Sequence, residues 1–513
     1  MGITRSGSSA DAGARARNGR LALWASAGSF ALVALVAATP GSPFTPVLPS
    51  EPSGPLRWLA ERVGLDQVHG NALAVVGVIA VSLAAAAFLL VLREAWRGSV
   101  RPGTVLALSV GYLALLLLLP LLFSRDVYSY ASYGRIAARY GANPYVATPA
   151  DYPADALAAF VGPKWVDTPA VYGPLWTHAS SLVVRAVDDV GAVVAAFRVL
   201  AIAASLATLL VVSRLLRRVR PEREAFALAL IGLNPVVVFQ SVASGHNDVV
   251  VMLAVAAAIA LMLAERERWA TVALALGVLV KVTAAVPLLL LWIAVAARRP
   301  RGERLRSLAP HVAIAALLGL VAAAPFLNTS DPTLGMAELA THEGWLAPSR
   351  FFRRLFDAVS GDALGFVPRV VVPLLLVGAL AAIARLVVRR APAIGSALVG
   401  ASWGWGLLAL MLLGPVLLPW YVTWALPLAW LLPRVPRAVL VATGVALTLS
   451  QWTSEPASFA RAYDANVLFG HYVITPVVIG LLGWLLVDLW RRTRADAPLE
   501  DEPDEVAAPA REG

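Results

Sequence analysis

Apolar runs long enough to cross a bilayer recur along this chain, and nothing constrains its fold more. Residues 21–39, 71–93, 103–123, 190–213, 225–244, 248–264, 309–327, 366–388, 395–414 and 472–490 each approach the roughly 20 apolar residues a spanning helix needs. Shorter apolar pieces at 269–283, 284–297, 420–433 and 437–452 predict short or tilted spans, or paired half-helices. At 59% hydrophobic and 14% charged, the chain is far more apolar than a soluble domain. It reads as an all-α polytopic integral membrane protein whose first partner is the lipid bilayer.

Charge orients the runs. The net charge of +10 comes almost wholly from arginine, since Lys164 and Lys281 are the only lysines. Arginine-rich connections fall at 93–101, 214–223, 265–268, 298–306, 385–390, 434–437 and 491–494. The positive-inside rule puts them all in the cytoplasm, so the basic balance speaks for membrane topology and not for nucleic acid. They can share one side only if residues 174–188, which end near Arg185, Asp188 and Asp189, form an interfacial or re-entrant helix. The result is about 13–14 spans in the plasma membrane with both termini inside. Residues 1–20 are expected as a disordered cytoplasmic leader, and 21–39 as an uncleaved signal-anchor. Residues 21–490 form the membrane domain, with outer loops at 124–188 and 328–365. Residues 491–513 make an acidic disordered tail.

Absence of cysteine excludes disulfides, thiolate catalysis and Cys-ligated zinc. No His/Asp cluster with ligand spacing occurs, so no metal or other cofactor is expected. The candidate chemistry sits elsewhere. A leucine run ends in Phe123-Ser124-Arg125-Asp126-Val127-Tyr128-Ser129-Tyr130, which puts an acid at the mouth of a membrane helix. Asp126 can be a helix-end cap or a base. If the stretch is helical, Asp126, Tyr130 and Tyr133 share a face by i, i+4, i+7 spacing, and a carboxylate among rings can take a proton from a sugar hydroxyl. Tyr128, Asn143 and Tyr172 belong to the same aromatic, turning loop, as does Lys164. Asp151, Asp155 and Asp167 suit an ordinary loop.

Four further features stand out. His246, Asn247 and Asp248 follow Gly245 between two apolar runs, where Asp248 can cap the next helix and all three can bind a sugar. Lys281 stands within an apolar segment, at a cost of about 2.5–3.5 kcal/mol unless it snorkels, and it calls for an anion. His342, Glu343 and Trp345 precede Ser349-Arg350-Phe351-Phe352-Arg353-Arg354, an amphipathic pattern that anchors at a membrane surface or offers Arg353 and Arg354 to a lipid phosphate. Trp420, Tyr421 and Trp424, between Pro419 and Pro427, read as an interfacial belt or a sugar platform.

Taken in order, the loop acid, the closing Tyr172-Gly173-Pro174-Leu175-Trp176, the Gly-His-Asn-Asp turn, Lys281 and Pro419-Trp420-Tyr421 resemble the GT-C superfamily of lipid-sugar-dependent glycosyltransferases. Within it the chain is similar to the actinobacterial polyprenol-phosphomannose-dependent α-1,6-mannosyltransferases, over roughly residues 100–480. Arg125-Asp126 replaces a two-acid Asp-x-Asp pattern, which leaves one base and argues against a metal. The resemblance implies a GT-C-type fold with its active site on the outer face, a polyprenyl phosphate mannose donor and a mannosylated glycolipid acceptor of the lipomannan type. It implies that Asp126 is the base of a single inverting displacement. Lys281, Arg353, Arg354 and Lys164 would steady the phosphate. Tyr128, Tyr130, Tyr133, Asn143, Tyr172, His246, Asn247, Asp248, His342, Trp420 and Tyr421 would line the sugar and acceptor sites. The rival readings are a transferase using decaprenyl-phosphate arabinose, a lipid or sugar flippase, which calls for inverted repeats, and a non-catalytic scaffold.

Overall fold

Lipid offers the backbone no hydrogen bonds, so apolar runs of this length close their hydrogen bonds internally. A computed structural model describes residues 6–50, 54–328, 333–336, 343–344, 346–361, 363–390, 395–454 and 459–500. Among the described residues the regular structure is entirely helical. The helices are α1 (Ser6–Ala38), α2 (Arg57–Arg62), α3 (Asn71–Trp96), α4 (Pro102–Leu115), α5 (Asp126–Ala138), α6 (Pro174–Ala186), α7 (Val190–Val219), α8 (Glu224–Gly232) and α9 (Asp248–Leu263). They continue with α10 (Glu267–Val280), α11 (Ala285–Ala297), α12 (Arg304–Ala323), α13 (Pro348–Ser360), α14 (Phe366–Arg389), α15 (Ser396–Leu413), α16 (Arg434–Ser450), α17 (Ala460–Phe469) and α18 (Thr475–Ala495).

Seven helical segments among the described residues are long and apolar enough to cross a membrane, or eight if a pair bent by 41° at Asn234-Pro235 is one span. Helices 102–118, 248–263 and 282–297 are apolar but shorter. Full-length spans are thus fewer than the 13–14 expected, because breaks divide the runs. Pro235 lacks an N–H and ends α8, and a π-helical turn, Val236–Val242, takes over. Lys281 is extended and divides α10 from α11. Residues 420–433, expected as a short or tilted span or a paired half-helix, instead form 3₁₀ turns at Pro419–Trp424 and Leu426–Leu428. Two expected disordered ends are also partly helical: residues 6–20 extend α1, and α18 runs to Ala495. Beyond it Leu499 is buried and its carbonyl accepts the Trp405 indole N–H at 3.0 Å. Residues 501–513 lie outside the described residues.

Large apolar side chains still face outward. Leu317, Leu320 and Val321 on α12 and Leu374 and Val377 on α14 are exposed, as lipid-facing residues must be. The arginine-rich connections meet one another. Trp96 is sandwiched between Arg223 at 3.6 Å and Arg437 at 4.2 Å, Arg298 pairs with Glu267, and Arg389 and Arg390 both reach Asp496. Within the 124–188 loop, α5 and α6 pack side by side, and the Ser181 hydroxyl donates to the Gly134 carbonyl at 3.4 Å.

Candidate active site

Five chain segments converge around Asp126. The first is its own helix, which begins at that residue. The Ser124 hydroxyl donates to Asp126 Oδ1 at 3.0 Å and accepts the Asp126 backbone N–H at 3.2 Å, which fixes the carboxylate at the helix start. The other oxygen, Oδ2, lies 3.5 Å from His246 Nδ1 and 3.5 Å from the Tyr172 hydroxyl. Tyr130, one turn along α5, brings its hydroxyl to 3.4 Å from the same Nδ1. Its ring meets Tyr172 edge-on at 4.8 Å. Tyr133, on the same face, is 6.5 Å from Tyr172 between ring centroids.

Tyr172 arrives on the loop's closing segment because Gly173 can lie flat against the break after α10. The Gly173 N–H donates to the Val280 carbonyl at 3.1 Å, and a Cβ at Gly173 would stand 2.2 Å from the Leu279 carbonyl oxygen. Any other residue would push the segment off. The same break delivers Lys281, whose ammonium bonds Asp248 Oδ1 at 2.8 Å. Burying that charge is tolerable only with such a partner. The Trp424 indole N–H donates to the same oxygen at 2.7 Å, and the ammonium lies 4.6 Å from the Tyr421 ring centroid.

His246 stacks on Trp420 at 3.8 Å. The aromatics of 419–424 are therefore buried walls of this cluster and not an interfacial belt. His246, Asn247 and Asp248 are themselves buried, whereas 22% of the Asp126 side chain stays accessible, so Asp126 stands at the mouth. Behind it, His246 Nε2, both polar atoms of Asn247 and Asp248 Oδ2 are buried without a hydrogen-bond partner among the described residues. Orphaned groups of this kind are costly unless a ligand or water serves them.

Burial pushes the Asp126 carboxyl up to about 6; Asp248 adds to the rise, and the Ser124 hydroxyl, the Lys281 ammonium and the Tyr172 hydroxyl oppose it. Burial, with the Lys281 charge second, holds the His246 imidazole well below its usual range. The pair is then a carboxylate of raised basicity against a neutral ring. Among the described residues no group of three or more His, Cys, Asp or Glu could hold a metal ion.

Not every expected site residue joins this cluster. Tyr128 points to the other side of α5 and packs on Phe160 at 5.1 Å. The Asn143 amide donates to the Phe326 carbonyl at 3.0 Å and the Asn328 side chain at 2.6 Å, pinning the loop to the end of α12. Arg353 is held by Glu343 at 2.6 Å and Asp357 at 3.1 Å, and Arg354 donates to His471 at 3.0 Å. Helix α13 packs on α14, α15 and α18. Lys164 is exposed in the turn after Gly162. His342 and Trp345 lie outside the described residues. Two contributors were not singled out by sequence: Ser124 and the buried Arg198. An arginine within an apolar run carries the same signal that marked Lys281.

A sequence model described as "Alpha-(1->6)-mannopyranosyltransferase, N-terminal domain" matches residues 25–297, just over half of the 513 residues. The chain belongs to the alpha-(1->6)-mannopyranosyltransferase family. Alpha-(1->6)-mannopyranosyltransferase A of Mycobacterium tuberculosis is 27% identical over 377 residues, 70% of each chain. Alpha-(1->6)-mannopyranosyltransferase B of Corynebacterium glutamicum is 28% identical over 343 residues, 60% of this chain and 55% of its own, so the match spans little over half of that relative. No solved structure matches. The protein is a membrane mannosyltransferase, working between a sugar donor and a glycan acceptor. Every member of the Asp126 cluster up to Lys281 falls inside the stretch matched by the family.

Proposed function

We propose that this mannosyltransferase moves mannose from polyprenyl phosphate mannose to a mannosylated glycolipid of the lipomannan type, forming an α-1,6 bond with inversion, on the outer face of the plasma membrane. The observation that carries the reading is the approach of Asp126, raised in basicity and set at the mouth, to a neutral His246 amid aromatic rings and unpartnered polar atoms. In the reaction the acceptor hydroxyl gives its proton to Asp126 as its oxygen bonds the anomeric carbon. The bond from that carbon to the phosphate oxygen breaks on the opposite face, and the phosphate leaves with the electron pair. A phosphate needs no acid to leave, so one carboxylate suffices, whereas a double displacement requires a second as nucleophile. Asp248 is unsuited to that part, being committed to Lys281 and Trp424; Oδ2 of Asp248 and the Asn247 amide serve the sugar hydroxyls instead. Lys281, inside the cluster, steadies the leaving phosphate, in place of the ion-paired Arg353. The GT-C-type fold and the metal-independent chemistry are part of the same reading. The meeting of arginine-rich connections supports a common cytoplasmic side for them.

The test is a donor panel. Purified enzyme in nanodiscs, with a short α-mannoside acceptor, is given labelled polyprenyl phosphate mannose or decaprenyl phosphate arabinose. Transfer from the mannose donor alone is expected; transfer from the arabinose donor alone refutes the donor assignment.

A further inference from the structure

Arg198 lies on α7, 3% exposed, and takes no part in the proton transfer or the departure of the phosphate. All five of its N–H groups are engaged. Nη1 donates to the Leu116 and Leu119 carbonyls at 2.7 and 2.6 Å, Nη2 to the Pro120 and Ala243 carbonyls at 2.9 and 2.7 Å, and Nε to the Ala243 carbonyl at 3.0 Å. Among the described residues it has no carboxylate partner, so backbone oxygens alone compensate the buried charge. These oxygens are not arbitrary ones. Leu116 opens the 3₁₀ turn that ends α4, Leu119 caps it and Pro120 follows, and Ala243 caps the π-helical turn after α8. The last carbonyls of a helix lack partners within it, and a cation there is favoured by the helix dipole. One guanidinium therefore ties two helix ends together.

Each of these ends leads directly into the site. Six residues beyond Pro120 stands Asp126, and three beyond Ala243 stands His246. The two outgoing strands of chain are stitched again, since the Ser244 hydroxyl donates to the Leu122 carbonyl. Gly245, at φ +69°, sits so that an added Cβ would stand 3.4 Å from the Phe197 Cβ and 3.6 Å from the Arg198 backbone nitrogen. We propose that Arg198 is a positioning residue for mannosyl transfer: it locks the segment that carries Asp126 to the turn that carries His246 and so sets their 3.5 Å separation. The proposal rests on Asp126 being the base.

A misplacement of 1 Å in a reacting group costs roughly 100-fold in rate. Lysine keeps the charge but offers three donors on one atom and cannot span carbonyls of two helix ends. The experiment measures initial rates of transfer from polyprenyl phosphate mannose by full-length enzyme in nanodiscs, normalised to monodisperse protein, for Arg198→Lys, Ser244→Ala and Asp126→Asn. R198K is expected to lose about 30- to 100-fold in kcat with the donor KM within about threefold, and S244A about three- to tenfold with the same split. A purely structural role lowers the yield of folded protein and leaves kcat per folded molecule intact. Wild-type kcat in R198K overturns the proposal. If R198K fails to insert, S244A decides: a lowered kcat at constant KM supports the clamp, and an unchanged kcat overturns it. D126N separates the two layers. An active D126N removes the base reading itself, whereas an inactive D126N beside fully active R198K and S244A removes only the clamp.

Discussion

Asp126, the proposed base, combines burial, which raises its basicity, with one edge that stays open. A base must be ionised to accept a proton, so with a carboxyl at about 6 the transfer rate should fall about tenfold per pH unit below 6 and level off above it. A pH–rate profile under kcat/KM conditions checks this, and an acid limb near 4 contradicts it. Asp248 has a different job. Replacing it with Asn leaves the Lys281 ammonium buried without its counter-charge, a loss of about 3–5 kcal/mol. Thermal unfolding of Asp248→Asn should show a steep drop, and adding Lys281→Met should recover stability without activity. Unchanged unfolding in the single variant contradicts the pairing seen at 2.8 Å. At this scale the sequence was informative wherever a charge interrupted an apolar run, as at Asp126 and Lys281. It could not reveal that Lys281 is answered by Asp248, 33 positions away, or that the charge of Arg353 is already taken by two nearby acids.

Helix positions were legible, as was the division of 269–283 from 284–297 that became α10 and α11, whereas the backbone geometry at the breaks was not. The apolar runs at 71–93, 248–264 and 366–388 match α3, α9 and α14 within a few residues, since lipid-facing helices announce themselves by length and composition. The π-helical turn at Val236–Val242 and the extended Lys281 arise from tertiary contacts that no periodicity encodes. The contact at Gly173 is the sharpest. In Gly173→Ala the added methyl meets the Leu279 carbonyl oxygen at 2.2 Å, with backbone on both sides, so strain of about 1–3 kcal/mol is expected. Tyr172 should shift away from Asp126 with it. The variant should unfold at lower temperature and transfer mannose more slowly; wild-type stability and rate together would show that the closing segment has slack.

At the scale of the whole molecule, the arginines that join connection to connection give the protein two unlike ends. The proposed orientation can be read chemically, because the chain contains no cysteine and each introduced thiol is unique. Asp167→Cys in the 124–188 loop should react with a membrane-impermeant maleimide in intact cells. Arg301→Cys should react only after permeabilisation, and the reverse pattern inverts the topology. The family and the helical membrane fold could be read from order and composition together. The closed, five-segment cluster around Asp126 could not, because its members come from residues 124–130, 172, 246–248, 281 and 420–424 and meet only in three dimensions. In the proposed mechanism, mannosyl transfer depends above all on the acid at the mouth of this cluster. With normal insertion verified, Asp126→Asn should transfer mannose from polyprenyl phosphate mannose at about 1% of the wild-type rate or less; an Asp126→Asn enzyme that transfers mannose at the wild-type rate contradicts the assignment of Asp126 as the base.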